Sequence, residues 1–152
     1  MDVGSKHGYP ASALSNFSPH PFTIDGVHCA SMEGFLQSLK FSNPAMQKHI
    51  CTLVGFAAKK AGSKKNWQRD QTLYWQGGVF KRQGPDYQTL LDRAYVAMTQ
   101  QSDSFRKALI ASGDAVLTHS MGRSSEKETV LTQSEFCRRL TWLREQVKKG
   151  AV

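Results

Sequence analysis

The chain has 152 residues, 39% hydrophobic and 21% charged, which describes one globular domain, 1–152, and excludes a disordered chain. No apolar run reaches the roughly 18 residues of a membrane span and MDVGSKHGYP has no signal-peptide core, so a cytoplasmic protein without a membrane partner is expected. A formal charge of +8, with an isoelectric point near 9.6, favours partners that carry phosphate.

In chain order, residues 22–29, FTIDGVHC, alternate on both sides of Asp25-Gly26 and predict a tight hairpin. Ser31 caps a short helix, SMEGFLQSLKF (31–41), with Glu33 in its first turn. Asn43-Pro44 opens a second helix to about Leu53, and GFAAKKAG forms a third that ends at Gly62. Residues 63–84 are polar, basic and aromatic, with Gly77-Gly78 and Gly84 as breakers, and read as an irregular loop. A long helix follows from Pro85 to about Gln101, burying Tyr87, Leu90, Leu91, Ala94 and Met98. Ser102 opens another, which carries Phe105, Ala108 and Leu109 and closes near Gly113. AVLTHSMG is extended. Thr132-Gln-Ser-Glu135 is a capping box before Phe136, Leu140, Leu143 and Val147, which recur at helical spacing. The expected class is mainly α, or α+β with one small hairpin.

Three scattered cysteines, Cys29, Cys51 and Cys137, give no disulfide framework or CxxC spacing, and the histidines form no HxxxH or HExxH pattern. No metal and no cofactor are expected. Between Lys59 and Arg82, seven basic residues face one acid, Asp70, with Trp67, Tyr74 and Trp75 interleaved, so this stretch contributes +6. Such a stretch suits phosphates of a nucleic acid or nucleotide, and it equally describes a solvated loop.

The helix at 31–41 is the candidate seat of chemistry. At about 100° per residue, Glu33, Gln37 and Lys40 fall on one line, and Met32, Phe35, Leu36 and Leu39 on another. A carboxyl and an amine on one rigid face could protonate a leaving group and capture a sugar's anomeric carbon, the amine as a Schiff base. The same pattern also describes a helix whose polar face is in water.

The run LSNFSPHPFTIDGVHCASMEGFLQSLKF (14–41) resembles the opening of the NADAR, or YbiA-like, family. Ser15-Asn16-Phe17, Asp25-Gly26, Ser31, Glu33, Gln37, Lys40 and Phe41 carry the likeness. AAKKAGSKKNW (57–67), residues 92–120 and TWLREQ (141–146) are similar to later stretches of that family. The resemblance implies a YbiA-like helical domain and N-glycosidic chemistry: removal of ADP-ribose from guanine in DNA, RNA or nucleotide, or breakdown of phosphoribosylamino-pyrimidines of the riboflavin pathway. It implies Glu33 as acid/base and Lys40 as the amine at the anomeric carbon. Asn16 and Gln37 would bind ligand, Phe17 and Trp67 would wall or stack on it, and an ADP-ribosyltransferase would be a functional counterpart.

Two departures stand out. Gly34 replaces the family's histidine after the glutamate, and the acidic-Trp-Gly and NxLG segment is absent. In its place THSMGRSSEKETVLTQSEF (118–136) offers His119, Ser120, Arg123 and Glu128. Trp75 is expected to stack on a base, and Lys81 or Arg82 to meet a phosphate. The loss also leaves open a non-catalytic module that binds ADP-ribose-like ligands or nucleic acid.

Overall fold

Two reversals of the same kind organise the β structure of the computed structural model, which describes residues 1–152. At the first, Asp25 and Gly26 both take positive φ (49° and 76°), joining β1 (Phe22–Ile24) to β2 (Val27–Cys29) with Phe22 opposite Cys29. Gln76 and Gly77 (42° and 91°) do the same between β3 (Thr72–Trp75) and β4 (Gly78–Lys81), with Trp75 opposite Gly78. A two-residue loop with φ > 0 at both positions matches the twist of antiparallel strands. The second hairpin corrects the expected irregular loop over 63–84 and the expectation of a single hairpin. Gly77 acts there as the turn residue rather than as a breaker. A short 3-10 turn, Trp67–Arg69, precedes it.

Six α-helices complete the fold, so α+β describes it better than mainly α. α1 (Met32–Ser38) is capped by Ser31, whose Oγ accepts from the Gly34 amide at 3.1 Å. Beyond Ser38, the amides of Lys40 and Phe41 donate three residues back, to Gln37 and Ser38, so the chain stays coiled through Lys40 in a tighter turn. α2 (Pro44–Ile50) stops three residues before the expected Leu53, and α3 covers Gly55–Ser63. α4 runs Pro85–Gln101 as expected, and α5 covers Asp103–Ala111. α6 (Gln133–Lys148) begins with both halves of the capping box formed between Thr132 and Glu135.

One cluster of 28 buried apolar residues draws on α1, α4, α5 and α6 and on strands β1, β2 and β3. Trp67 and Trp75 belong to it, and Phe22, Phe35, Tyr87, Tyr95, Phe105 and Phe136 are the largest of its fully buried aromatic members. Each such side chain stabilises by about 1.5–3 kcal/mol when withdrawn from water. The apolar line of α1 (Met32, Phe35, Leu36, Leu39) lies in this core, which turns its polar line the other way. No helix is long and apolar enough to cross a membrane.

Candidate active site

The polar line of α1 forms one wall of a cavity of about 610 Å³, lined by Glu33, Gln37 and Lys40 together with Asn16 and Phe17. The Glu33 amide donates to the Asn16 carbonyl at 3.2 Å, which fixes the loop 14–17 against the helix start. Tyr95, fully buried in α4, donates its hydroxyl to Asn16 Oδ1 at 2.7 Å. That bond orients the Asn16 amide and leaves its NH₂ group available as a donor. Gln37 Nε2 donates to Glu33 Oε1 at 3.1 Å, while buried Gln37 Oε1 has no partner. Gln37 lies against Gly62 of α3, where a Cβ would fall 1.8 Å from Gln37 Oε1. A methyl at position 62 would displace the Gln37 amide from where it stands.

Gly34, about 100° round α1 from Glu33, faces backbone. A Cβ there would lie 2.6 Å from the Leu53 carbonyl oxygen and 3.1 Å from that of Ile50. The position that holds histidine in the NADAR pattern is therefore a packing contact with the end of α2 in this chain.

Burial moves the two titratable groups toward their neutral forms. Burial raises the pKa of Glu33, against the hydrogen bond from Gln37 and the charges of Lys40, Lys59 and His119. Burial likewise lowers the pKa of Lys40, with Lys59 adding to the effect and Glu33 opposing it. A carboxyl that keeps its proton and an amine that sheds one are the forms that a proton donor and a nucleophile require.

The rest of the lining combines α3 with a segment that has no regular structure. α3 contributes Phe56, Lys59 and Ser63, and the segment 119–131 contributes His119, Arg123, Glu128, Thr129, Val130 and Leu131. Side chains reaching in from elsewhere hold that segment. Arg82 Nε donates to the Thr129 carbonyl at 2.9 Å, and Tyr87 donates to that of Val130 at 2.6 Å. His119 Nδ1 lies 2.7 Å from the Val3 carbonyl, which can only accept, so Nδ1 carries the proton. Nε2 is then the free ring nitrogen. Val3 and Thr118 are joined backbone to backbone, and the Asp2 carboxylate accepts from Ser120, so residues 2–6 run along this wall.

Of the residues singled out from sequence, the cavity gathers Asn16, Phe17, Glu33, Gln37, Lys40, Trp67, His119 and Arg123, and also Glu128. Four lie elsewhere. Trp75 is buried against Phe35 and donates its indole N–H to Asp25 at 2.9 Å, so it has no free face for a base. Arg82 is fully buried and bidentate on Glu135, at 2.6 and 3.1 Å, so it is closed to a phosphate. Lys81 is exposed on β4 outside the cavity. Ser120 donates to Asp2 beyond the lining. Sequence reasoning passed over Lys6, Phe56 and Gly62. It counted Lys59 only as charge, although Phe56, Lys59 and Ser63 recur at i, i+3 and i+7. Nowhere do three His, Cys, Asp or Glu converge as a metal ion would require.

Residues 8–145 match the family described as bacteriophage protein GP30.3. The chain belongs to that family. Its GP30.3 relatives include a 17.1 kDa protein encoded in the Gp30-rIII intergenic region of Enterobacteria phage T4. That protein is 38% identical over 149 residues, covering 97% of this chain and 98% of the relative. Among solved structures, the NMR structure of Escherichia coli YbiA aligns with a TM-score of 0.65 at 18% identity, over 99% of this chain and 85% of that one. The chain thus has a YbiA-like fold, and at that identity the likeness concerns the fold alone.

Proposed function

We propose that this protein is an N-glycosidase that removes ADP-ribose from ADP-ribosylated guanine. The observation that carries the reading is the meeting of Glu33, Gln37 and Lys40 in one cavity, with carboxyl and amine both shifted toward neutrality. The YbiA-like fold and the motif likeness of residues 14–41 support it. Glu33 gives its proton to the departing base nitrogen as the bond to the ribose anomeric carbon breaks. The neutral Lys40 amine bonds to that carbon, the ring opens, and an imine forms. Water adds to the imine, freeing ADP-ribose and restoring the amine, while a proton returns to Glu33. Asn16 and Gln37 hold ligand hydroxyls, and Phe17 and Trp67 wall the cavity.

The test is mass spectrometry of an ADP-ribosyl-guanine oligonucleotide after incubation, with and without borohydride. Released ADP-ribose, together with a borohydride-reduced adduct on Lys40, is the expected result. Substrate that binds and is recovered intact would instead identify a non-catalytic module.

A further inference from the structure

The outer edge of α3 carries groups that the glycosidic chemistry does not use. Phe56 is 77% exposed beside the cavity, its ring edge-on to Phe17 with 5.6 Å between centroids. Lys60 and Lys64 follow at i+4 and i+8, and Lys65 is exposed beside them with its ammonium over the Phe41 ring at 5.2 Å. None of Lys59, Lys60, Lys64 and Lys65 takes part in an ion pair, whereas seven of the protein's eight salt bridges use other lysines and arginines and the eighth uses a histidine. Lys6, across the cavity mouth, is also unpaired. Ammonium groups gathered along one edge without an ion-pair partner repel one another and attract a polyanion.

We propose that this edge is a track for a single-stranded polynucleotide that delivers its modified base into the cavity. Phe56 stacks on a base next to the one that enters, and Lys60, Lys64 and Lys65 meet the phosphates. Two physical points select a single strand over a duplex. A base must leave its stack before it can reach Glu33 and Lys40 on the cavity wall, and doing so from a duplex costs unpairing. An exposed aromatic ring is a platform for an unpaired base, and it serves any sequence because every base has a π-face. The occupant of the cavity is taken from the glycosidase reading. The track itself rests on the surface alone.

The experiment is fluorescence anisotropy with a labelled, unmodified single-stranded oligodeoxynucleotide, titrated at several salt concentrations beside its duplex. The expected result is tighter binding of the single strand, with log K falling against log salt at a slope of about −2 to −3 for three or four phosphate contacts. Replacing Lys60 and Lys64 together by glutamine should reduce that slope by about 1.4. Phe56→Ala should weaken binding by on the order of tenfold with the slope unchanged. Equal binding of duplex, no binding at low salt, or an unaltered slope in the double lysine variant would overturn the proposal. Hydrolysis of free ADP-ribosyl-guanosine by the double lysine variant separates the two ideas. Strand binding without any ADP-ribose release removes the glycosidase reading and keeps the track. Release from the nucleoside without strand binding does the reverse.

Discussion

The two walls of the cavity are made rigid in different ways. On one side Asn16, Glu33, Gln37 and Lys40 sit on or against a capped helix whose apolar face is locked in the core. On the other, residues 119–131 have no ladder of their own and are fixed by single bonds from Arg82, Tyr87, Asp2 and Gln133 to their backbone. A helix positions side chains by local geometry, so its register is visible in a short stretch of sequence. An irregular wall depends on hydrogen-bond partners outside it, and each partner must itself be anchored. Arg82 can act as a strut because Glu135, which also closes the capping box of α6, holds the other end of its guanidinium.

The sharpest way to break the comparison is to strip the helical wall of its chemistry. Glu33→Gln should lower ADP-ribose release by roughly 10²–10⁴, and Lys40→Ala by a similar factor with loss of the borohydride adduct, while circular dichroism stays unchanged. Equal activity in Lys40→Ala would show that the amine does not form the imine.

Next in size is the strut. Arg82→Met leaves Glu135 buried without its partner and should cost about 3–5 kcal/mol, read as a lower urea midpoint. Adding Glu135→Leu should recover part of that loss, since two apolar groups replace an ion pair more readily than one orphan charge is endured. The pair also gives acid sensitivity. Burial works to raise the pKa of Glu135, but hydrogen bonds from Arg82, the Thr132 amide and Gln88 outweigh it and leave it at about 2. Its contribution is complete above the ordinary carboxylate value and fades as pH falls toward 2, so acid unfolding should begin at higher pH when Arg82 is replaced.

A smaller effect tests how closely the two walls are fitted. Gly62→Ala gains helix propensity of up to about 1 kcal/mol, yet its methyl must displace Gln37 from Glu33. Activity falling about tenfold with an unchanged or higher melting temperature is the expected outcome; unchanged activity would show that Gln37 has no positioning role. Smallest is the contribution of Lys59. Removing its charge as Lys59→Gln lets the pKa of Lys40 rise, so the limb of the pH–rate profile that reports the neutral amine should move to higher pH. Lys59→Arg should leave that limb in place.

How far the sequence revealed the molecule follows the same divide. The Asp25-Gly26 hairpin, the Ser31 cap, the span of α4 and the reciprocal Thr132–Glu135 box are local signals, and each stands where it was expected. The β3–β4 hairpin was hidden because Gln76-Gly77 has the φ requirement of a hairpin turn without the familiar Asn-Gly or Asp-Gly spelling. Arg82 and Trp75 looked like ligand-binding groups because sequence shows charge and aromaticity but not the distant Glu135 and Asp25 that consume them. Lys59 faces the cavity through the helical phase of α3, information that a count of positive residues discards. Gly62 read as a helix terminator, and the clearance it provides for Gln37 exists only once two helices are packed together.

The contact at Gly34 has a consequence for what position 34 can hold. Because its α-hydrogen points at the carbonyls that end α2, a histidine at this position has no room until that end of α2 moves. In this chain, therefore, a histidine at position 34 needs a compensating shift around Ile50–Leu53, and the glycine is what lets α1 and that segment close on each other.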